Sequence, residues 1–259
     1  MVSLVRVLVV GLIVLTLLSA TLGLWVYNSH ISPLKALSSK PSIGDILDKL
    51  ELLEYTMRFD NVTWRVVVEN NPDLKSGSIK VYDVEGRLVE EYRFNYTRTL
   101  LLGLTRLEGS GNLTFLNPVD YLEAFSTNIK FNQTQEGSIT GVKPFPGIAP
   151  VYALSYIGNA TGIDWSSFYK PRGQTPQWVS IAFTKVNLEG REIRGVEVLV
   201  RQQYTGLSTT LKWYSVEVHA RVAELNRVPV ASELTLITPK PGGDTLVVTM
   251  KVEKIRLRS

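Results

Sequence analysis

The chain has 259 residues, a formal net charge of +4, no cysteine and two histidines. Without cysteine it forms no disulfide, thiolate nucleophile, Cys-ligated zinc or iron–sulfur site, and two distant histidines make no multi-histidine metal site. Hydrophobic residues are 44% and charged residues 20%, the balance of a folded chain rather than a disordered one.

The first element is apolar. Residues Val7–Val26 (VLVVGLIVLTLLSATLGLWV) are 20 residues without charge or proline. A helix of that length spans about 30 Å, the thickness of a bilayer's hydrocarbon core. Arg6 precedes it, and Trp25 and Tyr27 stand at its far end, where amphipathic rings favour the membrane interface. The run exceeds the apolar region of a cleavable signal peptide. Small residues at Ser19, Ala20 and Thr21 leave cleavage as an alternative, but the apolar run continues past them. The expected organisation is a signal-anchor over 1–27, a polar stalk over 28–41 and an extracytoplasmic domain over 42–259. The expected location is the cell membrane, with a single pass and the bulk of the chain outside.

Five N-x-T sequons, at Asn61, Asn95, Asn112, Asn132 and Asn159, all follow the apolar segment. The composition predicts about two, and the excess points to glycosylation of an exported surface. A large exported domain without cysteine fits a prokaryotic envelope, and with the sequons an archaeal one.

After the stalk, Ser42 offers an N-cap, and Ile43, Ile46, Leu47, Leu50 and Leu53 recur at helical spacing. This predicts an amphipathic helix of about 15 residues ending near Phe59. Period-2 segments follow at 62–69, 78–84, 87–96 and 99–107, with hairpin turns at 70–77 and Glu85-Gly86. Gly109 and Gly111 read as breaks, and Asn117-Pro118 as the start of a short helix.

Residues 137–177 carry five prolines and six glycines interleaved with aromatics. They read as a long ordered loop packed through its rings. Phe145, Tyr152, Tyr156, Trp165, Phe168 and Tyr169 are the ligand-facing candidates. The rest is a meander: 178–188, a turn at Glu189-Gly190, 192–203, 208–225, a strand with Leu234 and Leu236, a turn at 241–244 and a last strand from Leu246. Apolar parity changes after Val252, which predicts a bulge.

The predicted fold is therefore β-rich α+β: a curved antiparallel meander with one wet face and an amphipathic helix covering the apolar one. An amphipathic helix followed by such a meander is similar in general shape to the curved-sheet lipoprotein carriers of bacterial envelopes. The similarity lies in organisation and carries no residues across.

Catalytic motifs are not legible. His219 shares strand parity with Glu217 and Arg221, opposite the valine face, and reads as a solvated residue rather than a base oriented by Glu217. No nucleophile elbow or phosphate loop occurs. Glu90 and Glu91 are adjacent and must point to opposite faces of a strand. No catalytic residue, cofactor or metal ligand is assigned. The basic cluster Lys251, Lys254, Arg256 and Arg258 reads as a solvated edge strand protected by its charge against pairing, and no nucleic-acid partner is expected. The chain reads as a membrane-anchored binding or envelope-scaffold protein. Its partners would be the bilayer, through Val7–Val26, and an envelope protein or apolar ligand. The alternatives are a carrier or sensor of an apolar ligand or lipid held between the sheet and the 137–177 loop, and a hydrolase built on scattered carboxylates.

Overall fold

A computed structural model describes residues 4–28, 33, 43–59, 61–98, 102–110, 134–135, 147–151, 178–205, 213–239 and 245–258. Two helices, α1 (Leu4–Val26) and α2 (Ile43–Leu47), precede eleven strands among these residues. The strands are β1 (Leu50–Phe59), β2 (Val62–Asn71), β3 (Ser76–Tyr82), β4 (Leu88–Arg98), β5 (Leu102–Ser110), β6 (Thr134–Gln135), β7 (Trp178–Leu188), β8 (Arg191–Thr205), β9 (Trp213–Leu225), β10 (Val228–Pro239) and β11 (Thr245–Leu257).

All join in one antiparallel sheet ordered β6-β5-β4-β3-β2-β1-β11-β10-β9-β8-β7. Two meanders, β1–β6 and β7–β11, thus fan out from the central β1–β11 pair. Among the described strands that pairing joins the parts of the chain furthest apart in sequence, and it makes β11 a central strand rather than the edge strand its basic cluster suggests. It also requires β1 to be a strand. The predicted helix over 42–58 is accordingly corrected. Helix α2 stops at Leu47, and residues 50–59 are extended. Leu50 and Leu53 are spaced as a helix would have them, whereas Leu53, Tyr55 and Met57 alternate as a strand does, and all four are fully buried. Pairing with β2 on one side and β11 on the other decides for the strand. The five-residue α2 is too short to cover the sheet, and it buries Ile46 and Leu47 at one end of it.

The turns follow their residues. Gly86, at φ 79°, closes the β3–β4 hairpin, where Asp83 Oδ1 accepts from the amides of Glu85 (3.0 Å) and Arg87 (2.9 Å). Glu189 and Gly190, at φ 55° and 73°, make the predicted β7–β8 turn. Asn226 and Arg227, at φ 50° and 63°, make a β9–β10 turn of the same left-handed kind.

The predicted bulge lies after Val252. Tyr55 pairs with Val252 and Glu54 with Lys254, leaving Glu253 as the extra residue, so Ile255 returns to the core face. Gly109 does not break the chain but lies within β5 opposite Tyr92, whose ring occupies the space a side chain would need. Phe94 likewise lies over Gly77 of β3.

One face of the sheet carries the core. A row of Trp64, Met57, Met250, Leu234, Ala220, Val198 and Ile181 crosses seven strands in register. The expectation of one wet face holds for most of the sheet, where Arg65–Glu54 (2.8 Å), Arg201–Glu217 (2.8 Å) and Arg221–Glu233 (3.0 Å) bridge neighbouring strands. It fails at one corner, where successive residues Gly195 and Val196, Val222 and Ala223, and Val230 and Ala231 are all buried. The sheet rolls there: β7 comes within 8 Å of β11, Cα to Cα. With three strands between them, a flat sheet would hold them about 19 Å apart.

The C-terminus is tied to the start of the sheet. The backbone N–H of Arg258 donates to Lys49 O (2.8 Å), its Nε to Glu51 (2.9 Å), and its two terminal nitrogens to the two oxygens of Asp73 (2.9 Å each). That fork holds the Asp73 carboxyl below its ordinary range. Hydrogen bonding from His219, with Arg221 behind it, lowers Glu197 in the same way. A carboxyl depressed in the folded state adds stability above its unfolded pKa of about 4, and the contribution is lost as pH falls through the lower folded value. Arg258→Ala is therefore expected to lower the urea midpoint at about pH 6. The gap from the parent should shrink as pH falls below about 4, where Asp73 of the unfolded chain takes up a proton. A gap independent of pH would assign the loss to packing.

Candidate functional site

Three surfaces are placed by this fold: the apolar inner face, the charged outer face and helix α1.

The inner face of the β1–β4 half is apolar but contains polar atoms. Tyr55, Val66, Val81 and Glu90 form one row across β1–β4, and Leu53, Val68, Ile79 and Tyr92 the next. Glu90 is 5% exposed, and the hydroxyl of Tyr92 donates to its Oε2 at 3.4 Å. Of the adjacent pair, Glu90 is thus the inward member. Its parity with Tyr92, Phe94 and Tyr96 was the available signal. The Tyr55 hydroxyl is fully buried without a hydrogen-bond partner among the described residues, and burial pushes its phenol well above the ordinary range. At the α2 end, the side-chain amide of Asn70 donates to Leu47 O and Leu50 O, both at 2.8 Å.

Residues 147–151 are the described part of the 137–177 region. They place Ile148 and Val151 in the core, and Gly147 lies against Val68 and Ile79. This stretch therefore sits on the inner face. The candidate aromatics Phe145, Tyr152, Tyr156, Trp165, Phe168 and Tyr169 lie outside the described residues, as does the short helix expected at Asn117-Pro118.

On the outer face, His219 Nε2 is 2.9 Å from Glu197 Oε1, and Arg221 reaches the same oxygen at 3.2 Å. Glu217, the partner suggested by parity, pairs instead with Arg201. Residues two apart on a strand project side by side, whereas Glu197 stands on neighbouring β8 within reach. Among the described residues no group of three or more His, Asp or Glu gathers as a metal site would require.

Of the sequons, Asn61 is exposed in the β1–β2 turn and Asn95 is exposed on the outer face of β4. Asn112, Asn132 and Asn159 lie outside the described residues. Asn95 lines a groove of about 440 Å³ with Glu69, Asn71, Ser76, Ser78 and Arg93.

Helix α1 runs for 23 residues. Among the described residues no helix is long and apolar enough to cross a membrane. Leu12 is 68% exposed, Leu17 62% and Trp25 56%. The hydroxyls of Thr16, Ser19 and Thr21 donate to carbonyls of the helix itself, those of Leu12, Leu15 and Leu18.

No protein-family model matches the chain, and no curated protein matches it.

Proposed function

We propose that the protein is anchored in the membrane by α1 and presents its eleven-stranded sheet outside the cell as a binding or scaffold domain. The observation that carries this reading is α1. Its apolar side chains from Leu12 to Val26 are exposed, and its three hydroxyls are satisfied within the helix, as a lipid-facing helix requires. Leu4–Val26 is helical throughout, and the run Val7–Val26 within it carries no charge or proline. In alkaline carbonate extraction the full chain is expected in the membrane pellet, and a chain lacking residues 1–27 in the supernatant. Protease added to intact cells should digest the sheet domain. Release of the full chain by carbonate, or protection of the domain in intact cells, would sink the reading.

A second reading is favoured by the inner face. There Ile148 and Val151 of the 137–177 region meet the sheet, and the Tyr55 hydroxyl is buried without a partner among the described residues. In this reading an apolar ligand with one hydrogen-bonding group is held between that region and the sheet. Solvent extraction of purified protein followed by mass spectrometry should release a stoichiometric lipid-like molecule. Extracts matching a buffer control would end it.

A further inference from the structure

The groove on the outer face has a floor and two walls built by the register. On β3, Ser76 and Ser78 point outward and are small. Ser76 stands between Asn71 of β2 and Asn95 of β4, and Ser78 between Glu69 and Arg93. Two short hydroxyl side chains flanked by longer amide and charged ones leave a trough of about 440 Å³. That volume is in the range of small-molecule sites. Its edge groups include hydroxyls, amides, a carboxylate and a guanidinium, so donors and acceptors alternate over a short distance. Gly77 and Phe94 line it as well, so its surface is apolar as well as polar, and it suits a sugar, whose hydroxyls and C–H faces need both.

A second, independent feature falls in the same place. Asn95 opens the sequon Asn95-Tyr96-Thr97. Tyr96 is buried on the inner face, while Asn95 and Thr97 are exposed on the outer one. A sugar attached to Asn95 would emerge from the wall of the trough, with the two serines within reach. The turn at Asn61 is exposed as well, but it is not among the residues that line this groove.

We infer that the Ser76–Ser78 groove is a carbohydrate-holding site, with the glycan of Asn95 as its tethered occupant. A tethered sugar would be present at high effective concentration, so weak hydrogen bonds would suffice to hold it down. The inference rests on the extracytoplasmic placement proposed above.

The test uses the full chain produced in a host that glycosylates exported proteins, beside the same chain made without glycosylation. Peptide mass spectrometry reads Asn95 and Asn61, and hydrogen exchange reads the amides of 69–71 and 76–78. Thr97→Ala removes the sequon while leaving every groove-lining residue in place. The expected result is a glycan on Asn95 and exchange at those amides slowed about tenfold relative to Thr97→Ala. Millimolar N-acetylglucosamine, or glycan released from the protein's own peptides, is then titrated onto the unglycosylated chain. Slowing of the same amides only in this arm would assign the groove to free carbohydrate. A modified Asn61 with no slowing in either arm would overturn the groove and leave export standing. If both asparagines were bare and the chain were found inside the cell, the export reading would fail, and the titration arm would still decide the groove.

Discussion

Gly77→Ala is expected to destabilise the protein by about 3 kcal/mol or more, against about 1 kcal/mol for Gly86→Ala. A Cβ on Gly77 would stand 2.3 Å from the carbonyl oxygen of Glu69 and 2.4 Å from the Phe94 ring. The ring could turn aside. The carbonyl belongs to the paired neighbour β2, and moving it breaks the ladder between Asn70 and Gly77. Gly86 has nothing within 4 Å of its would-be Cβ, so alanine there meets only the cost of its left-handed φ of 79°. For a domain of this size each kcal/mol lowers Tm by about 2–4 °C. Calorimetry should therefore separate the two variants by at least about 4 °C. Equal losses would mean that β2 and β3 do not approach as described. Gly195→Ala extends the test to the rolled corner, where a Cβ would meet Val222 O at 2.4 Å and Val186 at 2.6 Å.

Asn70→Ala should cost a similar amount, about 3 kcal/mol, for a different reason. Its amide nitrogen donates to Leu47 O and Leu50 O, which the end of α2 and the first residue of β1 leave without a helical partner. Asn70 is 8% exposed, so water would not readily replace the lost donor. Each stranded buried carbonyl costs about 1–3 kcal/mol. Asn70→Asp is the sharper variant. It keeps the shape but turns the donor into an acceptor aimed at two carbonyls, and its loss should exceed that of alanine at neutral pH and lessen as the carboxyl protonates in acid. Urea unfolding at about pH 7 and about pH 4 measures both. An aspartate variant as stable as the parent would show that the two hydrogen bonds do not hold the junction.

Both predictions rest on residues that carry little signal in the sequence. Asn70 reads as one member of the turn cluster 70–77, although it lies within β2 and caps the helix–strand junction. Gly77 reads as a turn glycine and Gly109 as a break, although both are strand residues with an aromatic ring over them. A glycine in a strand becomes intelligible only once the partner strand and its ring are in place. The same holds for His219. Its exposed position followed from parity, but its partner Glu197 is 22 residues away and is set by the β8–β9 register.

The sequence by itself determined the strands of the C-terminal meander, because one-sided alternation through Val196, Val198 and Val200 and again through Leu246, Val248 and Met250 admits no other regular structure. It determined the bulge after Val252, because a change of apolar parity must be absorbed by an extra residue if the same face is to stay buried. It also set the missing staples: with no cysteine, the described fold rests on burial, hydrogen bonding and ion pairs. Tertiary structure alone decided that residues 50–59 are a strand. Leu50 and Leu53 fit a helix equally well, and pairing with β2 and β11 outweighs the local preference. It decided that the sheet rolls at β7–β10 until both faces are buried, which no single strand's pattern encodes. And it decided that Asn95 lies in a trough, because the floor and far wall of that trough come from β3 and β2, strands that meet β4 only through the register of the folded sheet.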